Sequence, residues 1–593
     1  MTIAEKSKAK ALQLGQKTAP DFSEVSIYWC SSCNSPIAAT DTPTCPNCGV
    51  KAKYLTTDVR PVFARERRIL QFYHPEVNIF NDAIWKSSKS KSYYVNGKSF
   101  SLAESEKLKD DLPAIGDFIK EFAADYYDEI DQLAIIPAYR NALEVNRTYM
   151  AALEDDAFDF IVATSKRYSR RMQMVSFSGG KDSTVVSHLV RRALGNSVTH
   201  VFSDTTLEDE NTYQYVQDFQ VENPEIPFWT AKVNHDFHTM VEEIGPPSRV
   251  QRWCCTIFKA GPINNLLQTL DENIKVLTFY GVRNAESKQR ADYNAITVSA
   301  KIGRQITASP IIKWGEFEVW AYILMNDVTF NKSYRLGYSR VGCWLCPLNS
   351  SWSDMLAEIF FPEDSARWKD QLVAFARKIQ KPDPEEYIES GGWKARFGGA
   401  GMPNRFLNLE VKPCGDMDNT FQYNLERPVN NDELEQFLKP LGIINRNRGR
   451  AALGEFYVEN RQKPGEELLV QALEGSDSIR ISVLNPVSVQ ESVAHIKFQV
   501  TKYQECIQCT ACAAVCPHGA ISVRPEARVY EISQDRCTGC NECVTHFGTT
   551  GCLVAKSLKS GGRTVDDGAP LDRKRKTIPL SPVERIQINR VSD

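Results

Sequence analysis

The sequence predicts an α/β protein: a central parallel sheet carrying the chemistry, small cysteine-bound modules at both ends, and α+β accessory units between them. Three observations predict it. A short apolar run ends in Ser176-Phe177-Ser178, meets Gly179-Gly180, and continues from Lys181 as sequence that reads as a helix through Leu189. Strand-like runs at Val198–Phe202 and Val276–Tyr280 follow it. All but Cys414 of the 17 cysteines fall into closely spaced sets, the pattern of metal ligands rather than of disulfides.

A chain of 593 residues is expected to hold several domains, and 42% apolar with 24% charged residues is ordinary for globular chains. A formal net charge of −3 gives no global case for nucleic-acid or membrane binding. No apolar run reaches bilayer length and MTIAEKSKAKALQ lacks a signal-peptide core, so a cytoplasmic protein with no membrane partner is expected.

Residues 1–20 read as a flexible N-terminus. Cys30-Ser-Ser-Cys33 and Cys45-Pro-Asn-Cys48 then predict a zinc ribbon over 21–58. Four thiolates fill tetrahedral Zn²⁺ and leave no open position, so the site is structural; rubredoxin-like iron is the alternative. Residues 59–150 read as an α+β accessory domain, with β-like runs VFARERRILQFY (Val62–Tyr73) and SYYVNGKSF (Ser92–Phe100), then helical sequence from Ser105 to Phe122. Arg65, Arg67 and Arg68 beside Phe72 and Tyr73 would suit a nucleic-acid surface, or equally a solvated charged face. Asn141–Arg171 reads as a helix feeding the glycine-loop strand.

The central domain is placed at 151–404. Strand, glycine turn and helix are what a phosphate-binding loop needs: glycines let N–H groups turn inward, the helix N-terminus adds positive potential, and Ser178 and Ser183 carry hydroxyls. Ser176, Ser178, Gly179, Gly180, Lys181, Asp182 and Ser183 are the candidate nucleotide-binding residues. The spacing is not GxxxxGK[ST]. It resembles instead SGGxDS of the ATP pyrophosphatase (PP-loop) and PAPS (phosphoadenosine phosphosulfate) reductase superfamily, which implies an adenine-nucleotide alpha-hydrolase-like sheet and chemistry at an adenylyl phosphate. Asp204, at the carboxyl end of the next strand, suits the nucleotide or Mg²⁺, or caps the following helix.

Cys254-Cys255 with distant Cys343-Trp-Leu-Cys346 fits a cubane better than one zinc knuckle, zinc being the alternative. The pattern resembles the [4Fe–4S] ligands of adenylyl-sulfate reductases and DNA phosphorothioation sulfurtransferases. Gly281-Val-Arg283, Glu286-Ser287 and Arg290, then Pro310 to Trp314 and Val319-Trp320, resemble the GxRxxES…R and PLxxW…VWxY segments of the superfamily. By that resemblance, which covers about 170–350, Arg283 and Arg290 are guanidinium forks for phosphate or sulfate and join Lys181 and Asp182 as candidate catalytic groups. Trp314 and Trp320 read as core.

After the glycine-rich loop at 391–401, residues 405–498 read as a second α+β accessory domain without assignable chemistry. Over 499–558, Cys506-x2-Cys509-x2-Cys512-x3-Cys516-Pro517 has the bacterial ferredoxin spacing, and Cys537-x2-Cys540-x2-Cys543 repeats its start, with Cys552 displaced by an insertion. Resemblance to two-cluster ferredoxins assigns Cys506, Cys509, Cys512 and Cys552 to one [4Fe–4S] cluster, and Cys516, Cys537, Cys540 and Cys543 to the other. Residues 559–593 read as a mobile tail.

Three [4Fe–4S] clusters, Zn²⁺ and an ATP or adenylyl-sulfonucleotide site with Mg²⁺ predict an enzyme of sulfur metabolism. The favoured expectation is an iron–sulfur sulfurtransferase that activates its substrate with ATP, releases pyrophosphate and installs sulfur, with nucleic acid as one acceptor; Lys181 resembles the ATP-using branches. The alternative is a sulfonucleotide reductase making sulfite with electrons from the fused ferredoxin, although no ECGxH nucleophile is present. The required partners are an adenine nucleotide and a sulfur donor or electron-donor protein. A nucleotide-sensing nucleic-acid-binding protein is the non-enzyme alternative.

Overall fold

The computed structural model describes residues 25–554 except 103–104, 234, 250–251, 271–274, 288–289, 300–301, 396–408, 416, 507, 525–528, 546–551 and 553. The expected flexible N-terminus (1–20), the glycines at 398–401 and the expected tail (559–593) lie outside the described residues. No described helix is long and apolar enough to cross a membrane.

The N-terminal module is a three-stranded antiparallel sheet in the order Ser35–Ala39, Ser26–Cys30, Lys53–Thr56. It sits beside a four-stranded meander, Val59–Pro61, Ile84–Ser87, Ser92–Val95 and Lys98–Ser101. The Asn96-Gly97 turn has φ of 50° and 78°, the mirror-image turn that matches strand twist. A Cβ on Gly97 would come within 2.4 Å of the Trp29 indole, so only glycine lets the module pack there.

Two expectations for 59–150 are corrected. Val62–Tyr73 is not a strand; Ala64–Tyr73 is a helix. Its Arg, Leu and Gln content favours helix, and tertiary burial decides the matter. Nor do its arginines offer a basic face. Arg65 pairs with Asp128 at 2.7 Å, Arg67 donates to the Val62 and Ile79 carbonyls at 2.7 and 2.9 Å, and Arg68 lies 3.4 Å above the Phe118 ring while pairing with Glu121. These are buried cations with their partners supplied, and a nucleic-acid surface made of them is ruled out.

The central sheet contains β1 (Met172–Ser176), β2 (Thr199–Asp204), β3 (Phe228–Lys232), β4 (Val276–Phe279), β5 (Ile296–Val298) and β6 (Gln305–Ala308), in the order β3-β2-β1-β4-β6-β5. All neighbours are parallel except the β5–β6 edge pair. Helices α1 (Lys181–Leu194), α2 (Glu210–Glu222), α3 (Gly261–Leu270) and α4 (Glu316–Met325) surround it. Strand order reverses between β1 and β4, the crevice where open parallel sheets bind ligands beyond their carboxyl ends. Trp314 and Trp320 are buried in the core, as expected.

The region after 409 forms a six-stranded antiparallel sheet backed by helices Asn431–Leu438 and Val489–Glu505. It packs on the C-terminal cysteine unit through Phe437 and Tyr530, stacked at 4.2 Å and 6°.

Asp58 ties the N-terminal region to the carboxyl edge of the central sheet. Its carboxylate accepts the N–H groups of Glu316 and Phe317, both at 2.9 Å, and so caps α4. Burial, with Glu318 and Glu316 nearby, pushes the Asp58 carboxyl up to about 7. An unfolded carboxyl at 3.8 is already ionised where the folded one still holds its proton, so folding takes up a proton between those values and stability falls as pH rises through that window. Asp58→Ala is expected to cost about 1–2 kcal/mol in urea unfolding. Asp58→Asn should keep more of the cap and flatten the pH slope; an unchanged slope would place the titration elsewhere.

Candidate active site at the carboxyl edge of the sheet

The loop after β1 supplies the first wall. Gly179 has φ +72° and lies against α2, where a Cβ would come within 3.0 Å of Thr212 Cγ2. The Ser178 N–H donates to Ser183 Oγ at 3.1 Å, the two hydroxyls are 3.1 Å apart, and Ser183 donates to the Gly180 carbonyl at 2.8 Å. Ser178 itself is exposed at the mouth of the loop. Ser176 and Tyr280 share a hydrogen bond across the β1–β4 gap.

Lys181 and Asp182 are drawn into a buried charge cluster. Lys181 Nζ lies 3.2 Å from Asp182, 3.3 Å from Glu316 and 3.1 Å from the Ser339 carbonyl. Arg283 closes the cluster: Nε bonds Asp182 Oδ1 at 2.5 Å and Nη2 bonds Glu316 Oε2 at 2.8 Å. Burial opposes charge on Asp182, but the Arg283 and Lys181 cations overcome it and hold the carboxyl below its usual range. Burial likewise opposes charge on Lys181, yet Asp182 and Glu316 hold the ammonium firmly protonated. Gly281 makes this proximity feasible, since a Cβ there would lie 2.6 Å from the Asp182 carbonyl carbon.

Arg290 is partly exposed and pairs with Glu286, at the rim rather than in the cluster. Asp204 lies at the carboxyl end of β2. Its Oδ1 accepts from the Thr206 N–H at 2.8 Å and the Tyr213 hydroxyl at 2.9 Å, and Oδ2 pairs with Lys232 at 3.1 Å. It does not cap α2; Asp209 does, accepting from the Thr212 N–H at 2.9 Å.

The central cysteines come together beside this edge. The Cys254 thiol is pushed far up first by Cys255, then by burial, with Cys343 and Cys346 adding to it. Cys343 Sγ lies 3.5 Å from Thr205 Oγ1, just past the end of β2. Burial pushes its thiol up to about 12 while Lys259 pulls it down. One strap joins both halves of the site. The Tyr334 hydroxyl accepts the Lys181 N–H at 2.8 Å, the Ser339 carbonyl takes the Lys181 ammonium, and Cys343 follows four residues later.

The sequence pattern gives no role to Lys259, which follows Cys254-Cys255, nor to Glu316 and Glu208. Lys259 is four residues after Cys255, one helical turn, and Cys343 and Glu208 beside it hold its ammonium protonated against burial. Glu316 had a visible signal, a carboxylate opening the helix between the two motif tryptophans.

The remaining cysteines sort by geometry. The Cys30, Cys33, Cys45 and Cys48 sulfurs all lie within 4.8 Å of one another, close enough for one tetrahedral ion such as zinc. Cys506, Cys509, Cys512 and Cys552 line one cavity; Cys516, Cys537, Cys540 and Cys543 line another. None of the described cysteines is in a disulfide. Burial pushes Cys506 and Cys543 up to about 12 and Cys509 higher still; bare thiolates would be costly there, whereas iron ligation would ionise them. The donor sets therefore fit iron–sulfur clusters.

Residues 172–349 match the phosphoadenosine phosphosulfate reductase domain, and 505–546 the 4Fe-4S dicluster domain. The chain carries a phosphoadenosine phosphosulfate reductase domain. The chain is similar to an uncharacterized protein of Methanocaldococcus jannaschii, 32% identical over 272 residues, 45% of this chain and 54% of that protein. A second uncharacterized protein of that organism is 31% identical over 37% of this chain and 50% of its own length. The chain thus spans about half the length of these two relatives. The adenosine 5'-phosphosulfate reductase of Staphylococcus epidermidis is 28% identical over 29% of this chain and 68% of its own length. Among solved structures, a phosphoadenylyl-sulfate reductase from Candida auris matches at 17% identity and TM-score 0.26, over 32% of this chain and 89% of its own.

Proposed function

We propose that the chain is an iron–sulfur enzyme of sulfur metabolism that reduces an adenylyl sulfonucleotide to sulfite, with electrons delivered by its own ferredoxin-like unit. One observation carries this reading: the C-terminal cysteine unit is docked on α3, the helix that begins six residues after Cys255. A Cβ on Gly261 would lie 2.1 Å from Thr510 Oγ1 and 3.5 Å from the Cys509 carbonyl. The names of the reductases it resembles support the same substrate class.

Clusters at the three cysteine sets would supply one-electron steps. The protein's own groups do the rest. The Ser178 and Ser183 hydroxyls and the N-terminus of α1 receive the nucleotide phosphate, Arg290 at the rim meets the sulfate, and Lys259 beside Cys343 offers positive charge where sulfite departs. Arg283 and Glu316 hold Lys181 and Asp182 in place. The bond between sulfur and the nucleotide's bridging oxygen breaks, sulfur takes two electrons and leaves as sulfite, and the adenosine phosphate keeps the oxygen.

The second reading, ATP-dependent sulfur transfer, is favoured by Lys181 in SGGKDS. Anaerobic protein given a low-potential reductant and adenylyl sulfate, PAPS or ATP separates the two. Sulfite from either sulfonucleotide is expected; pyrophosphate from ATP without sulfite would put the sulfurtransferase in its place.

A further inference from the structure

The two C-terminal cysteine sets have different surroundings. The cavity of Cys506, Cys509, Cys512 and Cys552 is also lined by Lys502, Thr510 and Tyr530. Lys502 is 1% exposed, and its ammonium donates to the Tyr530 hydroxyl at 2.7 Å, which lies 4.0 Å from Cys512 Sγ. Thr510 Oγ1 is buried with no hydrogen-bond partner among the described residues and lies against Gly261 of α3. The cavity of Cys516, Cys537, Cys540 and Cys543 has no lysine or arginine in its lining and includes Glu542. Around Cys537 the cations are Lys439 and Arg461, only partly buried and donating to the Ile532 and Gln534 carbonyls, and Lys502 reaches this set only through Cys543. Cys540 is exposed.

The sets also lie at different depths along α3. Gly261, at the start of the helix, meets Cys509-Thr510, whereas Gln268 donates to the Ile521 carbonyl at 3.1 Å. Seven residues of helix separate these contacts, about 10 Å. Gly303, just before β6 and so at the opposite edge of the sheet from the site, lies 3.0 Å from Pro517 by its Cβ position. The first set therefore faces Cys254-Cys255, and the second lies away from them and toward solvent.

We propose that Lys502 raises the reduction potential of the Cys506/509/512/552 centre above that of the Cys516/537/540/543 centre, so that electrons from a reduced one-electron carrier protein enter at Cys540 and run inward to Cys254-Cys255. A fixed buried positive charge stabilises the more negative, reduced form of a centre. Each passage moves one electron, oxidises the carrier and makes or breaks no covalent bond; two passages supply the pair that sulfite formation consumes.

The inference rests on the proposed reductive chemistry, but potentials measured without substrate test it separately. In anaerobic redox titrations of the full-length holoprotein followed by electron paramagnetic resonance, Cys540→Ser marks the signal of the outer centre by altering it. Lys502→Met is expected to lower the midpoint of one other signal, with iron content kept, and Lys502→Arg to restore it. If Lys502→Met loses iron, Tyr530→Phe, which keeps the stack on Phe437, should lower the same midpoint by a smaller shift. Unchanged midpoints in the variants that retain iron, or an outer centre of higher potential than the inner one, would overturn the proposal even with sulfite production intact. Ordered potentials without sulfite would overturn only the reductase reading.

Discussion

Arg283→Ala is expected to abolish turnover and to cost about 3–5 kcal/mol of stability, because it leaves two carboxylates without their shared fork in a buried site. Arg283 is 3% exposed and bonds Asp182 and Glu316 through different nitrogens. Lysine is a poor replacement, since a single ammonium cannot bridge both acids in that planar geometry. Arg283→Lys should therefore recover part of the stability and little of the activity. Denaturant unfolding and nucleotide binding check this; a variant with wild-type stability would mean that Lys181 alone neutralises the pair.

Cys254→Ser is expected to remove about four of about twelve cluster irons per chain, with turnover lost and both C-terminal centres retained. Iron and acid-labile sulfide counts, with resonance spectra of the remaining centres, measure it. Unchanged iron would show that Cys255, Cys343 and Cys346 do not share a centre with Cys254. The same experiment distinguishes a zinc site, which would give no sulfide loss.

Much of this was legible because the chemistry sits in short segments. SGGKDS, the paired cysteines and the GVR segment announce themselves by spacing, and the structure brings all three to the carboxyl edge of one parallel sheet. What escaped was long-range. Arg65, Arg67 and Arg68 look like a solvated or nucleic-acid-binding face because sequence does not reveal that Asp128, Glu121 and the Phe118 ring await them. Asp204 suits a helix cap equally well by sequence, but Asp209 occupies that place. Glu316 is visible in sequence only as a carboxylate opening a helix; its importance comes from Arg283 and Lys181, which belong to other elements.

The contact of Asp58 with α4 also bears on how the polypeptide is made. The two partners are 258 positions apart, so the first is synthesised long before the helix it will cap exists. Closing so large a loop is entropically slow, and the early segment must remain unfinished at that point while the sheet is still emerging. A nascent chain halted before residue 316 would therefore present a buried-type acid with no amides to receive it, and this edge of the sheet is completed only after α4 has emerged.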